Sequence, residues 1–275
     1  MLSKKFGFLQ GRLSKARSKK ILHFFPAENW KKEISLAKNM GFTYIEYCNE
    51  KKFNKKNPIW SKGGLKQVNF LAKKFKLKNF SLNDDFFVNQ DLIKYKDVDG
   101  YFDELIKKLT FLKIKLYVLG LHEKSAITKE NYRGYAYIIK RISKKFEKNR
   151  IVLSLETSFE ANYILKFFRI IDDNNTFLVY DTGNRFKKNH NQYLEILKLR
   201  KKINHVHLKD KNFFGQSVPI GEGKVNFVKI IKSLKKIHYK GNFVFENDRG
   251  EDPVVTMRNN LIFMKKIMKN TGYKI

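Results

Sequence analysis

The sequence is poor in cysteine, in proline and in long apolar runs. Its single Cys48 excludes an intramolecular disulfide and any metal site built from several cysteines, and it fits a reducing compartment. The four prolines leave little material for a stiff linker between domains. No run reaches the roughly 18 apolar residues of a membrane span, and Lys4 and Lys5 are not followed by the apolar segment of a signal peptide. We therefore expect a cytoplasmic protein with no membrane partner.

Acidic residues are also scarce relative to basic ones. The chain has 58 Lys and Arg against 26 Asp and Glu, which gives a formal net charge of +32. Such an excess can mark a partner with negative charge, such as a nucleic acid or an anionic membrane. The lysines, however, are spread as pairs over nearly every predicted helix, from Lys73 and Lys74 to Lys265 and Lys266. This spread favours a general lysine-rich composition over a nucleic-acid patch, and a nucleic-acid partner is not expected.

What the chain does contain is a repeated alternation of short β-like runs and longer helical patterns. Hydrophobic residues make up 42% of it, which is enough for a large core and argues against disorder. The predicted strands are Phe6–Leu9, Tyr44–Tyr47, Asn79–Leu82, Lys115–Leu119, Ile151–Leu155, Thr176–Tyr180, Ile203–Leu208 and Asn242–Phe245. This is the number of βα units that closes a (β/α)₈ TIM barrel of the α/β class, so we predict a single domain over residues 1–275. An open doubly wound sheet is the alternative, but it would carry a glycine-rich first turn, which is not present.

If the chain closes as a barrel, its functional residues lie just after the strands, at the C-terminal rim. The fifth to eighth predicted strands end in, or directly before, Glu156, Asp181, His207 and Glu246. Three carboxylates at short range would repel one another unless a cation joined them. An oxygen-rich set with one imidazole favours one divalent ion, Mn²⁺, Mg²⁺ or Co²⁺, and is also compatible with Zn²⁺. The pattern therefore predicts a metal site at the rim.

Six short motifs follow one another along the chain. They are Gly7-Phe8-Leu9-Gln10-Gly11-Arg12-Leu13-Ser14, Leu155-Glu156-Thr157, Tyr180-Asp181-Thr182-Gly183-Asn184, His205-Val206-His207-Leu208-Lys209-Asp210, Pro219-Ile220-Gly221-Glu222-Gly223 and Phe245-Glu246. In this order they resemble the xylose-isomerase-like barrel superfamily of sugar phosphate isomerases and epimerases. The resemblance covers essentially the whole chain. It implies that Glu156, Asp181, His207 and Glu246 are metal ligands.

The resemblance also implies that the protein is an enzyme, namely a metal-dependent isomerase or epimerase. Its substrate would be a sugar or sugar derivative, and phosphorylated and acidic sugars are included in this class. In such an enzyme the cation polarises a hydroxy-ketone, and a carboxylate removes the acidified proton to give a metal-bound enediolate. Return of the proton to the other carbon isomerises the sugar, whereas return from the opposite face epimerises it. Glu156 and Glu246 come from strands on opposite sides of the predicted site, so they are candidates for the acid and the base.

Further polar residues at the rim are candidates for binding substrate. Glu46 ends the second strand and His122 follows the fourth, so both would meet hydroxyl groups of a substrate. The arginine and lysine candidates would meet a phosphate or carboxylate group of the substrate. The full set of candidates is Arg12, Glu46, His122, Lys124, Asn184, Lys209 and Arg249. His205 points deeper than His207 and is expected to lie in the core or to support a ligand. Three other histidines in predicted loops or helices carry no functional signal: His23, His190 and His238.

Two alternatives to a sugar enzyme remain. An apurinic-site endonuclease on the same barrel would suit a charge of +32, but that family needs a three-metal cluster with extra histidines. Here Asn184 stands three residues after Asp181 where such a histidine is required, and residues 212–220 contain none. A barrel that has lost catalysis and acts as a binding protein is the other alternative. The sequence does not name the sugar or separate isomerisation, epimerisation and dehydration, and it is compatible with a homo-oligomer.

Overall fold

The computed structural model describes residues 6–18 and 21–274. The strands in these residues are β1 (Phe6–Leu9), β2 (Tyr44–Asn49), β3 (Lys78–Asp84), β4 (Leu116–Gly120), β5 (Val152–Glu156), β6 (Thr176–Asp181), β7 (Ile203–Leu208), β8 (Asp210–Lys211), β9 (Ser217–Val218) and β10 (Asn242–Phe245). The helices are α1 (Trp30–Asn39), α2 (Lys62–Lys74), α3 (Val98–Phe111), α4 (Tyr132–Lys148), α5 (Ala161–Ile171), α6 (Gln192–Leu199), α7 (Phe227–Lys236) and α8 (Pro253–Asn270). Short 3₁₀ turns lie at Pro58–Trp60, Phe86–Val88, Glu123–Ser125 and Arg200–Lys202.

Eight of these strands form one closed parallel barrel. Going round it, the order is β1, β10, β7, β6, β5, β4, β3 and β2, and the barrel closes where Phe8 pairs with Phe245 and also with Ile45. A helix follows each barrel strand, so the predicted single-domain TIM barrel is confirmed and the open sheet is wrong. The predicted bounds of β1, β7 and β10 hold, and those of the other barrel strands differ by one or two residues.

The main core lies between the barrel and the ring of helices. The helices are amphipathic, and α4, for example, buries Tyr135, Ile139, Ile142 and Phe146 against the strands. The Phe146 ring stacks on Tyr117 of β4 with ring centroids 4.8 Å apart. Because the strands are covered by helices outside and by side chains inside, they read as continuous apolar runs in the sequence.

The barrel interior is filled by two small apolar groups that share Phe80. One consists of Leu9, Tyr44, Cys48 and Val244, and the other of Leu116, Val118 and Val179. Cys48 is fully buried there, as expected, and burial raises the pKa of its thiol well above the usual value. This packed floor restricts solvent, and therefore chemistry, to the C-terminal end of the barrel.

A two-stranded hairpin that the sequence analysis did not predict extends the rim beyond β7. Its strands β8 and β9 pair antiparallel, with Asp210 opposite Val218 and Lys211 opposite Ser217. Strands of two residues are too short to give a periodic hydrophobic pattern.

Among the described helices, none combines the length and the apolar character that crossing a membrane requires.

Candidate metal centre

Glu156, Asp181, His207 and Glu246 come together at the C-terminal end of the barrel. Glu156 ends β5, Asp181 ends β6, His207 lies in β7 and Glu246 directly follows β10. The register of the strands explains the convergence. His207 pairs with Asp181 of β6 on one side and with Val244 of β10 on the other, and Glu246 lies two residues after Val244. One ligand atom from each of the four residues lies within 4.8 Å of the others, and all four are buried. The sequence predicts this grouping from strand ends alone.

The orientation of His207 fits a cation. Its Nδ1 lies 2.6 Å from Glu246 Oε2 and 3.5 Å from Glu156 Oε2. Among the described residues, neither ring nitrogen of His207 nor Glu246 Oε2 has a hydrogen bond of acceptable geometry. Buried polar atoms without such partners are rare and need an explanation. A divalent ion held by the carboxylates and by His207 Nδ1 would satisfy Nδ1 and Glu246 Oε2, whereas His207 Nε2 faces Glu46 Oε1. The donor set suits a hard or borderline metal.

The electrostatics of the four residues also favour bound positive charge. Burial and the neighbouring Glu246 act to raise the pKa of Glu156, but His122 and His207 outweigh them and hold it well below the usual value. For Glu246, burial is likewise outweighed, here by Lys209, His23 and His207, and the pKa is again well below the usual value. Burial raises the pKa of Asp181, against the opposing effect of Lys209. The two glutamates are therefore ionised at neutral pH, in a site with little water to screen them.

The turn after β6 explains the Asp181 motif. Asp181 Oδ1 accepts hydrogen bonds from the backbone N–H groups of Gly183 and Asn184, both at 2.7 Å, which leaves Oδ2 directed at the site. Asn184 Nδ2 donates to Glu156 Oε1 at 2.8 Å. A Cβ on Gly183 would lie 2.6 Å from Lys209 Cγ, so only glycine leaves room for the Lys209 stem. The motif thus fixes one candidate ligand, orients a second candidate and makes space for a lysine.

Lys209 is the cation closest to the carboxylates among the described residues. Its Nζ lies 3.2 Å from Asp181 Oδ2 and also contacts Glu246 Oε1. Burial acts to lower the pKa of Lys209, but Asp181 and Glu246 raise it above the usual value. The ammonium is therefore charged and can attract a negative group on a ligand. Its placement agrees with the expectation of a substrate-binding role, which remains a prediction.

Glu46 is placed differently from the expectation that it meets substrate hydroxyl groups. It is fully buried below the four candidate ligands, where Oε1 lies 2.8 Å from His207 Nε2 and Oε2 lies 2.9 Å from His205 Nε2. Burial acts to raise the pKa of Glu46, but the two imidazoles lower it to about 2. The reason is geometric, since its side chain points into the barrel and not out of the rim. Glu46 therefore orients His207 through Nε2, the ring nitrogen on the side away from the candidate metal centre. His205 contacts the other oxygen of Glu46 and is not one of the four candidate metal ligands.

Arg249 and Lys124 also depart from the predicted positions. All three donor nitrogens of Arg249 are occupied by backbone carbonyls, those of Gly11, Ile21 and Leu22, at 2.7–3.0 Å. Three of its five N–H donors are therefore committed to backbone carbonyls of the β1–α1 loop and do not point at the four converging residues. Lys124 is exposed beside a surface groove and lies outside the group of ligands. Both corrections arise because a cation near a strand end in the sequence can still point away from the barrel axis.

Arg12 and His122 do lie at the site. The Arg12 guanidinium is buried, donates from Nη1 to the carbonyl of Asn247 at 3.0 Å and places Nη2 3.7 Å from Glu246 Oε1. His122 Nε2 lies 3.4 Å from Glu156 Oε1, and a quarter of its side chain is exposed. Of the two, His122 is thus the one that an incoming molecule can reach.

His23, for which the sequence pattern predicts no function, contacts a candidate ligand directly. Its Nε2 lies 3.0 Å from Glu246 Oε1 and its Nδ1 lies 2.5 Å from Asp85 Oδ2. Burial acts to lower the pKa of His23, but Asp85 and Glu246 outweigh it and raise the pKa. One signal was available in the sequence, because His23 lies between β1 and α1, and every such βα loop opens onto the rim.

Asp210 organises the loop that carries the Pro219–Gly223 motif. Its buried carboxylate accepts four backbone N–H groups, those of Lys211, Gly221, Gly223 and Val225, at 2.9–3.1 Å. A Cβ on Gly223 would lie 2.1 Å from Asp210 Oδ1, which explains a glycine there. Because Asp210 directly follows Lys209, this anchor holds both the hairpin and the segment that delivers Lys209.

We expect Asp210→Ala to free this loop. Unsatisfied backbone groups cost about 1–3 kcal/mol when buried, so the free energy of unfolding should fall by about that amount. Amide hydrogen exchange of residues 219–225 should accelerate, whereas exchange in the barrel strands should not. Asp103→Ala is the matched control, since the Asp103 side chain is 54% exposed and pairs only at the surface. Unchanged exchange in the Asp210 variant would contradict the anchoring role.

Comparison with known proteins assigns the fold to a family. The model of the xylose isomerase-like TIM barrel family matches residues 34–267. The chain belongs to this family. The xylose isomerase-like barrel is thus the setting of the four converging side chains, as the sequence motifs indicated.

Individual similar proteins show how far the similarity reaches. An Escherichia coli K12 protein named "Putative L-ribulose-5-phosphate 3-epimerase SgbU" is 35% identical over 77 residues, which is 25% of this chain and 27% of that protein. A D-allulose 3-epimerase from Methylomonas sp. superimposes with a TM-score of 0.72 at 18% identity, over 96% of this chain and 97% of that chain. The IolI protein, crystallised with a zinc atom, gives a TM-score of 0.75 at 19% identity, over 97% of both chains. The two structural matches show a shared fold.

Proposed function

We propose that this protein is a divalent-metal-dependent isomerase or epimerase of a sugar or sugar derivative. The observation that carries the proposal is the buried group of Glu156, Asp181, His207 and Glu246, in which one imidazole and three carboxylates converge within 4.8 Å. The names of similar proteins add support, because one is called a D-allulose 3-epimerase and another is named "Putative L-ribulose-5-phosphate 3-epimerase SgbU". The IolI protein with its zinc atom supports a metal in a barrel of this kind.

The four residues would hold the ion. A divalent ion bound there supplies Lewis-acid polarisation of a carbonyl group, which makes the neighbouring C–H bond more acidic. Glu156 is ionised and its Oε1 is held by Asn184, so it can take that proton without first losing one of its own. Glu246 reaches the site from the strand three places further round the barrel, beside His23 and Lys209. Either carboxylate can accept the proton while it is ionised. A carboxylate that has become protonated can then act as the donor.

The position to which the proton returns decides the reaction. If one glutamate removes the proton and the other, after taking up a proton from solvent, delivers it to the same carbon from the opposite face, the sugar is epimerised. The first glutamate then returns its proton to solvent. If the proton returns to the neighbouring carbon, a ketose and an aldose interconvert. Both reactions break one C–H bond and form another, with no net change in protons or electrons. Asn184, His122 and Lys209 surround the two carboxylates and are the candidates for binding substrate hydroxyl or phosphate groups.

Exchange of carbon-bound hydrogen with solvent tests the proposed class of reaction without requiring the right sugar product. We expect the purified protein, supplied in turn with Mn²⁺, Mg²⁺, Co²⁺ and Zn²⁺, to incorporate deuterium from D₂O next to the carbonyl of at least one ketose or ketose phosphate. NMR detects the exchange, and chromatography then identifies the epimer or isomer. Absence of exchange with every metal and with a broad set of ketopentoses, ketohexoses and their phosphates would reject the proposal.

The same preparations should be assayed for nicking of duplex DNA that contains an abasic site. A sugar isomerase or epimerase is expected to leave that DNA intact. Cleavage that depends on Glu156 and the added metal would instead support the nuclease alternative. A protein that binds no divalent ion and performs neither reaction would support the non-catalytic alternative.

A further inference from the structure

Residues 21–25, in the loop between β1 and α1, bring His23 against Glu246. Both ring nitrogens of His23 are occupied, Nε2 by Glu246 Oε1 at 3.0 Å and Nδ1 by Asp85 Oδ2 at 2.5 Å. His23 therefore has no nitrogen left to bind a metal or a substrate. What it can do from this position is fix the carboxylate that it contacts.

The two oxygens of Glu246 have separate environments. Oε1 faces His23, the ammonium of Lys209 and, at 3.7 Å, the guanidinium of Arg12. Oε2 lies 2.6 Å from His207 Nδ1, within the group of ligands. Contacts on Oε1 thus determine the direction in which Oε2 points. Of the three partners, only His23 is itself held by a second carboxylate outside the metal centre, because Lys209 and Arg12 contact no such group among the described residues.

Asp85 is a rigid support for His23. Its backbone N–H donates to the carbonyl of Asn49 at 3.0 Å, and its Oδ1 accepts from Asn83 Nδ2 at 3.1 Å. Asp85 directly follows β3, so these bonds fix it to the barrel wall. The carboxylate that orients His23 is therefore part of the scaffold and not of a loose loop.

The loop itself is held by Arg249. The guanidinium donates to the carbonyls of Ile21 and Leu22, the two residues before His23, and lies 4.8 Å from the ring centroid of Phe24, the residue after it. A third bond reaches the carbonyl of Gly11, where the φ of +88° favours glycine and a Cβ would lie only 2.4 Å from the Phe24 carbonyl oxygen. Arg249 lies three residues after Glu246, so one short segment carries both the ligand and the clamp that brings His23 to it.

We propose that His23 is a positioning residue for Glu246, held in place by Asp85 and by the Arg249 clamp on its loop. The expected effect of His23 on kcat rests on the proposed function. The expected effect of His23 on metal affinity does not depend on which reaction the protein catalyses. His23 fixes Oε1, so that Oε2 is presented to the metal and the substrate. Residues that orient metal ligands typically change metal affinity or activity by about 10- to 100-fold when they are replaced.

The test is a set of substitutions at position 23 in the full-length protein. We expect His23→Ala to weaken Mn²⁺ binding, measured by isothermal titration calorimetry, by about 10-fold or more and to lower kcat by about 10- to 100-fold with little change in KM. His23→Gln should recover part of both losses, because its amide can still donate to Glu246. Asp85→Asn should change both quantities in the same direction as His23→Ala. His238→Asn is the matched control, since His238 is exposed and its φ of 55° is one that Asn tolerates.

The outcomes separate this inference from the proposed function. A folded His23→Ala protein with wild-type Mn²⁺ affinity and wild-type kcat would overturn the positioning role. A wild-type protein that binds Mn²⁺ but exchanges no substrate proton would overturn the proposed function, and the calorimetric comparison would still decide the role of His23. Loss in His23→Ala without any recovery in His23→Gln, together with faster amide exchange throughout the barrel, would mean that the residue only stabilises the fold, and would reject the inference.

Discussion

Replacement of Glu156 by glutamine is expected to lower kcat by about 10²- to 10⁴-fold, which is the usual contribution of a positioned acid or base. Glutamine keeps the shape of the side chain and one oxygen that can bind a metal, but it cannot accept a proton. The same change at Glu246 should have an effect of similar size, because the proposed reaction needs one carboxylate on each face of the substrate. KM should change much less than kcat, since the hydroxyl-binding groups remain in place.

Metal binding has to be followed in the same glutamine variants. We expect each to retain a divalent ion, with reduced affinity, when it is measured by calorimetry at saturating metal. Glu104→Gln, at a surface position with a 66% exposed side chain, is the control and should match the wild type. A variant that keeps its metal and turns over at the wild-type rate would remove that glutamate from the mechanism. If only one of the two variants loses the exchange of substrate hydrogen with D₂O, that residue is the base and the other acts as the donor.

The fold and the four converging residues could be predicted because both depend on local patterns. A buried parallel strand is a short apolar run whatever its neighbours are, so the eight strands are visible in the sequence. In a closed parallel barrel, all strand ends then meet at one rim, which brings together residues as distant as Glu156 and Glu246. Neither step needs knowledge of how a loop folds. This is why the bounds of β7 and the placement of His207 agree with the expectation.

Some residues have positions that differ from the sequence-based prediction, and these positions depend on loop conformation or on side-chain direction. Arg249 looks like a free cation in the sequence, and only the path of the β1–α1 loop reveals three carbonyls around it. His23 lies in a βα loop, but the sequence does not reveal its partners, which are 62 and 223 residues away. Glu46 lies behind His207, and β2 carries a register irregularity between Ile45 and Glu46 in its pairing with β3 that the sequence pattern does not reveal. Such contacts are set by tertiary structure and leave no periodic signal.

Binding of a divalent ion is expected to stabilise the protein measurably. At a metal concentration 100 times the Kd, the free energy of unfolding should rise by about 2.7 kcal/mol, which corresponds to an increase in Tm of about 5–10 °C for a protein of this size. The physical reason is that the ion relieves the repulsion among three buried carboxylates and satisfies His207. Differential scanning calorimetry after chelation, and again after each metal is added back, measures the shift and ranks Mn²⁺, Mg²⁺, Co²⁺ and Zn²⁺.

Removal of one ligand should abolish that shift. We expect His207→Ala to lose metal affinity by on the order of 100-fold or more, because the imidazole is the only nitrogen in the group and the side chain packs between Glu46 and Glu246. Its Tm without metal should also fall, since removal of the imidazole leaves the buried Glu46 carboxylate with His205 as its remaining imidazole partner. His190→Ala, outside the site, should keep the full metal-dependent rise in Tm. If the His207 variant is stabilised by metal as strongly as the wild type, the ion binds elsewhere, and the four converging residues are not its site.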